Sequence, residues 1–206
     1  HKKFNTEKRK KILIAGSSGM IGSQLVAFFD TGGHDVWRLV RREVKPDSNE
    51  IKWDPDNDVL DPDSIEGFDA IIHLGGAGIG DKRWTKKRKM LIQKSREKST
   101  TLLSDTISNL KKKPEVFLVA SAIGYYGNRE DEELTEDSKP GEGFLTETVL
   151  AWEKYAKSAK DAGVRVINIR TGIVLSATGG ALQRMLLPWK LGAGGSIGGG
   201  KQWMSW

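Results

Sequence analysis

The stretch that most constrains this chain is short. Lys11-Ile12-Leu13-Ile14-Ala15 is an apolar run, and Gly16-Ser17-Ser18-Gly19-Met20-Ile21-Gly22 follows it directly. The pair reads as a buried strand entering a helix through a G-x-x-G-x-x-G turn. Each glycine has a physical task there. The first permits a tight turn, the second lets backbone approach a pyrophosphate, and the third lets the helix pack on the strand. Free N–H groups at the helix start then favour an anion. Gly16, Ser18, Gly19, Met20, Ile21 and Gly22 are therefore the expected phosphate cradle of a dinucleotide.

The rest of the chain continues the alternation. Strands are expected at 35–40 (DVWRLV), 51–53, 69–74 (DAIIHL), 115–120 (EVFLVA) and 164–169 (VRVINI). A helix over 20–31 would carry Ile21, Leu25, Phe28 and Phe29 on one stripe. Thr85 can cap a helix that reaches about Leu110, long enough to break on the way, and further helices are expected at 144–162 and 181–191. Residues 121–143 read as an acidic loop. Continuous rather than alternating apolar strands argue for a parallel sheet covered on both faces. Right-handed crossovers then give an α/β, Rossmann-like doubly wound sheet. The expected divisions are a basic extension at 1–10, a nucleotide-binding domain at 11–178, and the start of a substrate-binding region at 179–206.

Composition excludes several classes. At 206 residues with 37% hydrophobic content, the chain is long enough to bury a core without staples. It has no Cys, hence no disulfide framework, and no metal-ligand spacing is evident. No apolar run approaches the ~18 residues of a membrane helix. These features fit the cytoplasm, or an organelle stroma or matrix if the basic N-terminus is a processed transit end. The net charge of +6 is a sum of opposed blocks: residues 82–98 carry nine Lys/Arg, and 129–142 carry seven Asp/Glu. The basic block has apolar residues at helical spacing beneath it and lacks interleaved base-stacking aromatics, so a solvated helix face is favoured over nucleic-acid binding.

The charge at one point is informative. Asp35 lies 19 residues after Gly16, near the spacing of an acid that would hold a ribose 2′-hydroxyl. It opens its strand, however, and so sits at the sheet end away from the phosphates. The residues at the other end are Val40, Arg41 and Arg42, with two guanidinium groups and no carboxylate among them. A 2′-phosphate wants that charge, so NADP(H) is expected over NAD(H). Further along, Gly75-Gly76-Ala77-Gly78 follows the strand ending in Leu74 and offers a flat backbone platform, while His73 reads as an interior strand residue.

The phrases GSSGMIG, HLGGAGIGDKRWT, Ser95-Arg96, SAIGYYG at 121–127, Trp152-Glu153, RTGIVLS at 170–176 and the C-terminal GGALQRMLLPWKLGAGGSIGGGKQWMSW carry a resemblance. Together they resemble the extended branch of the short-chain dehydrogenase/reductase superfamily. The match is narrower still with an atypical family of NAD(P)-dependent sugar-nucleotide epimerases sometimes labelled cell-division inhibitors. The resemblance covers nearly all of 11–206. It implies a Rossmann domain binding NADP, a small C-terminal substrate domain largely outside this chain, and a homodimer. It also implies that Leu74, Gly75 and Gly76 line the nicotinamide ribose, that Arg96 reaches the cofactor from below, and that Val174 borders the nicotinamide pocket.

One departure puts the chemistry in question. The superfamily uses a Tyr and a Lys four residues later on one helix, with the phenolate as general base. Four residues beyond Tyr125, Tyr126 and Tyr155 stand Arg129, Glu130 and Ala159. Phe144 and Leu145 fall near the Tyr slot, Thr148 and Val149 near the Lys slot, and Ser121 or Ala122 near the helper hydroxyl. Tyr125, Tyr126 or Glu147 could replace the missing group. Two readings follow: an oxidoreductase or epimerase acting on a nucleotide sugar or small carbonyl compound, or a non-catalytic NADP-binding regulator linked to cell division.

Overall fold

The computed structural model describes residues 9–177, 179–195, 199–200 and 202–206. Most of the basic N-terminal block, and the centre of the Gly-rich loop at 196–198, lie outside the described residues. The elements are β1 (Lys11–Ala15), α1 (Met20–Thr31), β2 (Asp35–Val40), β3 (Glu50–Lys52), β4 (Ala70–His73), α2 (Lys86–Asn109), β5 (Val116–Ala122), α3 (Phe144–Lys154), α4 (Lys157–Asp161), β6 (Arg165–Thr171) and α5 (Gly180–Lys190). They form one six-stranded sheet in the order β3-β2-β1-β4-β5-β6. This is the doubly wound Rossmann order, and it reverses between β1 and β4.

Register decides which residues share an edge. β1 pairs parallel with both β2 and β4, placing Ala15 opposite Leu39 on one side and His73 on the other. Asp35 pairs with Lys11, at the amino end of the sheet. The next residues after the first set, Gly16, Val40 and Leu74, therefore come out along the carboxyl edge together. Alternation along β1 splits the core. Leu13 and Ala15 join Phe117, Val119, Leu103, Ile107 and Trp152 on one face, while Ile12 and Ile14 meet Val26, Val36 and Ile72 on the other.

Four local features differ from the sequence expectations, each with a physical reason. Helix α2 runs unbroken from Lys86 to Asn109. Thr85 accepts the Arg88 N–H at its start, and the hydroxyls of Ser95, Ser99 and Thr106 bond back to carbonyls one turn earlier, satisfying the polar residues inside it. The expected helix over 144–162 instead breaks after Lys154 and resumes at Lys157. The Ala159 N–H is taken by the Ser104 hydroxyl at 2.9 Å, so the helical bond it would make to Tyr155 is replaced. Phe28 is 65% exposed. Gly22 and Val26, one turn apart, take the buried face of α1, and Phe28 lies two residues or about 200° round from Val26. Finally, Trp84, Trp152, Trp189, Trp203 and Trp206, as large apolar side chains, are expected in core or domain-junction packing; Trp152 is buried, whereas the other four are exposed and so are not part of the core.

The chain divides into two compact units. One holds the described residues up to Ala120 with Trp152–Asn168; the other holds Ser121–Ala151 and Ile169–Trp206. Among the described residues no helix is long and apolar enough to cross a membrane.

Leu103 has no exposed surface and sits among β-sheet and α3 residues of the larger core. Leu103→Ala is expected to cost about 2–5 kcal/mol in urea unfolding at unchanged m value, whereas Phe28→Ser is expected to stay within about 0.5 kcal/mol of the parent.

Candidate functional site

The β1–α1 turn is built for close approach. Gly16 has φ +81°, a left-handed conformation that favours glycine, and a Cβ on it would lie 2.9 Å from the Leu74 carbonyl carbon. A Cβ on Gly22 would lie 2.2 Å from the Gly16 oxygen. Gly19 is the N-cap of α1, and no side chain caps it. The first N–H groups of α1 thus face the carboxyl edge with no side chain across them, beside the positive end of the helix dipole. Ser18 and Gly19 are exposed and Met20 and Ile21 half-buried, so backbone is what a ligand would meet here. This turn fits a pyrophosphate: its glycines let the backbone of β1, α1 and Leu74–Gly75 close up around it, and no side chain caps the N-terminus of α1.

At the end of β2 the two arginines differ. Arg42 makes a bidentate pair with Glu50 (2.9 and 2.5 Å) and also donates to the Glu43 carbonyl. The Glu50 side chain is only 5% exposed. The Arg42 hydrogen bonds, followed by the Lys45 N–H, hold its carboxyl at about 2. Arg41 pairs with the carboxylate of Asp56, and both side chains are more than half exposed. The sequence reading placed no carboxylate at this strand end; the fold brings Asp56 there from 15 residues away.

The platform after β4 is strapped from below by α2. Ser95 Oγ accepts the Ala77 N–H at 3.0 Å, and Arg96 Nη1 donates to the Ala77 carbonyl at 3.0 Å and the Ile92 carbonyl at 2.9 Å. The Arg96 guanidinium lies beneath Gly76, 3.3 Å from where a Cβ would be, and over the Trp152 ring at 4.6 Å. Burial, and then the charge of Arg88, push Arg96 down to about 10, so it stays a cation at neutral pH. Leu74 and Gly75 are half-buried at the platform's start.

His73 lies under this platform with no exposed surface. Its Nδ1 faces the Gly75 N–H at 3.4 Å, which makes Nε2 the protonated nitrogen, donating to Ser99 Oγ at 3.0 Å. Ser99 passes its own proton to the Ser95 carbonyl at 2.7 Å. The chain is satisfied only for a neutral ring, and burial pushes His73 down to about 3. It is a structural residue, as its interior strand position suggests.

The smaller unit holds the tyrosines. Ser121 is buried at the end of β5, and Tyr125 and Tyr126 follow as a half-buried edge-to-face pair with centroids 5.1 Å apart. Sequence reasoning did not single out their partner, Arg170 of β6. Its guanidinium carbon lies 3.4 Å from the Tyr125 ring centroid, and its Nη1 donates to the Tyr126 hydroxyl at 3.1 Å. The only signal for it was its place at the head of RTGIVLS. On α3, Thr148 is buried and bonded to the Phe144 carbonyl, Val149 is buried, and Glu147 is exposed. Val174 is half-buried in the extended segment after β6.

Comparison with known proteins identifies the family and the fold's relatives. Residues 12–206 match the NAD dependent epimerase/dehydratase family. An epimerase family protein of Mycobacterium bovis is 38% identical over 195 residues, covering 95% of this chain and 64% of the relative, so the chain spans less than two thirds of that protein. The crystal structure of human epimerase family protein SDR39U1 with NADPH superposes with TM-score 0.84 at 32% identity, over 95% of this chain and 65% of that one. A nucleoside-diphosphate sugar epimerase from Corynebacterium glutamicum gives 0.83 at 38% identity, over 97% and 41%.

The His73 chain generates a pH prediction. The ring's native value lies below its unfolded value near 6.5, so the unfolded state binds more protons between the two. The stabilisation is complete above about pH 6.5 and is lost as pH falls toward 3. Between pH 6.5 and 5, above the carboxylate range, urea unfolding free energy is expected to fall with a slope approaching about 1.4 kcal/mol per pH unit, and His73→Asn is expected to remove that slope.

Proposed function

This chain belongs to the NAD dependent epimerase/dehydratase family, and we propose that it binds NADP(H) in preference to NAD(H) and acts on a nucleotide sugar or a small carbonyl compound. The observation that carries the cofactor reading is the corner where the uncapped N-terminus of α1 and the exposed guanidinium of Arg41 share the carboxyl edge. The first suits a pyrophosphate and the second a 2′-phosphate. Gly16, Ser18, Gly19, Met20, Ile21 and Gly22 hold the former; Val40 and Arg41 border the adenosine ribose. Arg42 turns its charge to Glu50 and keeps the strand end in place. Leu74, Gly75 and Gly76, braced by Arg96, receive the nicotinamide ribose side. The relative solved with NADPH supports this reading.

A bound nicotinamide supplies hydride transfer; the protein orients the reacting carbon and handles the proton. For the proton, Tyr126 is the stronger candidate of the pair. Its oxygen already accepts a hydrogen bond from Arg170, and a guanidinium has no acceptor to offer in return. The phenol's own hydrogen is therefore directed elsewhere and is available to a substrate carbonyl or hydroxyl. Tyr125 presents a ring face to Arg170 and packs the loop. Ser121 stands at the end of β5 as the helper hydroxyl. The epimerase relative that acts on nucleoside-diphosphate sugars supports the substrate class. A second reading, a cofactor-binding regulator linked to cell division, draws on the burial of Thr148 and Val149 where the superfamily places its lysine.

Calorimetric titration with NADPH and NADH is expected to show tighter binding of NADPH, and Arg41→Gln is expected to remove about 10- to 100-fold of that preference. Equal affinities would refute the cofactor reading. With NADPH-loaded protein and a panel of keto-sugar nucleotides and small carbonyl compounds, or with NADP+-loaded protein and nucleoside-diphosphate sugars, Tyr126→Phe is expected to lower hydride exchange by about 10²- to 10⁴-fold without changing NADPH affinity, and Tyr125→Phe far less. Cofactor binding without hydride exchange on any substrate would favour the regulator.

A further inference from the structure

We propose that Asp56 determines cofactor specificity: its carboxylate holds Arg41 in the place that a ribose 2′-phosphate takes, and so sets the ratio of NADPH to NADH affinity. This rests on the reading of Arg41 as the 2′-phosphate ligand.

The argument starts from the turn that carries Asp56. Asp54 and Val59 close it with a pair of backbone hydrogen bonds, Asp54 N–H to the Val59 carbonyl at 2.8 Å and Val59 N–H to the Asp54 carbonyl at 2.9 Å. Inside the turn, the Asp54 carboxylate accepts the Asn57 side-chain amide at 2.7 Å and the Asp56 N–H at 3.0 Å, which lowers its own pKa. From α2, Lys98 Nζ donates to the Asp56 carbonyl at 2.8 Å. The backbone of Asp56 is thus fixed from both directions by groups other than its side chain. What the carboxylate adds is one contact, the pair with Arg41.

That pair is made to exchange. Asp56 is 57% exposed and Arg41 60%, and exposed pairs of this kind contribute little to stability. Arg42, one residue on, is the contrast. The side chain of its partner Glu50 is only 5% exposed, bidentate to Arg42 and also held by the Lys45 N–H, so a ligand could not draw Arg42 away without leaving that shielded carboxylate unpaired. Two adjacent guanidinium groups therefore divide the work, with Arg42 fixed and Arg41 free to change partners. A 2′-phosphate brings more charge and more acceptor oxygens than Asp56 and can displace it. A ribose 2′-hydroxyl brings no charge, so with NADH the Arg41–Asp56 pair persists. Asp56 then acts only against the phosphorylated cofactor, by occupying Arg41.

The test is calorimetry on the full chain with NADPH and NADH, for the parent, Asp56→Asn, Asp56→Ala, Arg41→Gln and the Asp56→Asn/Arg41→Gln double variant, with thermal unfolding to establish that each folds. Asp56→Asn and Asp56→Ala are expected to tighten NADPH about two- to fivefold and leave NADH unchanged. In the Arg41→Gln background the Asp56 change is expected to have no effect. If the parent prefers NADPH and neither Asp56 variant alters the ratio, the Asp56 proposal falls and the Arg41 reading stands. If the Asp56 variants weaken NADH, the carboxylate holds the ribose hydroxyl, and the proposal is overturned. If the parent shows no preference, the Arg41 reading fails and this proposal with it.

Discussion

The carbonyl oxygen of Gly16 sits 2.2 Å from where a Cβ of Gly22 would be. That single contact orders the rest. It brings the first turn of α1 down onto the end of β1, so the helix starts at the sheet edge instead of beyond it. The missing side chain at Gly16 lets the backbone of Leu74 and Gly75 come alongside in the same way. With these two approaches made, the parallel register aligns the ends of β2 and β4 with the uncapped helix terminus. The result is a crevice at the point where strand order reverses, lined by backbone donors. A methyl group at either glycine would push apart the elements that define the crevice.

The opposite wall depends on α2. A helix with Ser99, Thr100, Ser104 and Thr106 on its buried side looks poorly suited to a core. Each has a use. Thr100 accepts the Trp152 indole N–H at 3.0 Å, Ser104 accepts the Ala159 N–H, and Ser99 joins the chain from His73. Because buried polar groups cost free energy unless they are paired, these bonds fix a specific docking of α2 against β4, α3 and α4. Arg96 completes the arrangement: its charge is tolerated in a half-buried place because carbonyls and an aromatic face surround it.

Much of this was legible in the sequence because it is local. The doubly wound parallel sheet, the β1–α1 turn, the cap at Thr85 and the position of Asp35 at the wrong end of the sheet all follow from periodicity and the spacing of a few residues. The break at Tyr155–Ala156 was not, since its cause is Ser104, 55 residues away. The exposure of Phe28 was missed by grouping it with Phe29 on an apolar stripe that the helix geometry places further round. Asp56 and Arg170 were missed for the same reason as each other. Each matters through a partner 15 or 44 residues distant, and neither stands in a spacing pattern that a sequence displays.

The contrast between Arg41 and Arg42 shows why composition at a strand end is a weak guide to ligand charge. In the sequence the two residues are equivalent, adjacent cations with the same reach. The fold separates them through the burial of their partners. A carboxylate that is itself desolvated and twice hydrogen-bonded binds its arginine as part of the framework, because releasing the arginine would strand the carboxylate. A carboxylate in water releases its arginine at little cost. The charge available to a ligand is therefore set by how solvated the counter-ion is, and counting cations overstates it. At this edge one guanidinium of the two remains exchangeable, and its partner is an acid on a turn rigid enough to stay in place when the pair opens.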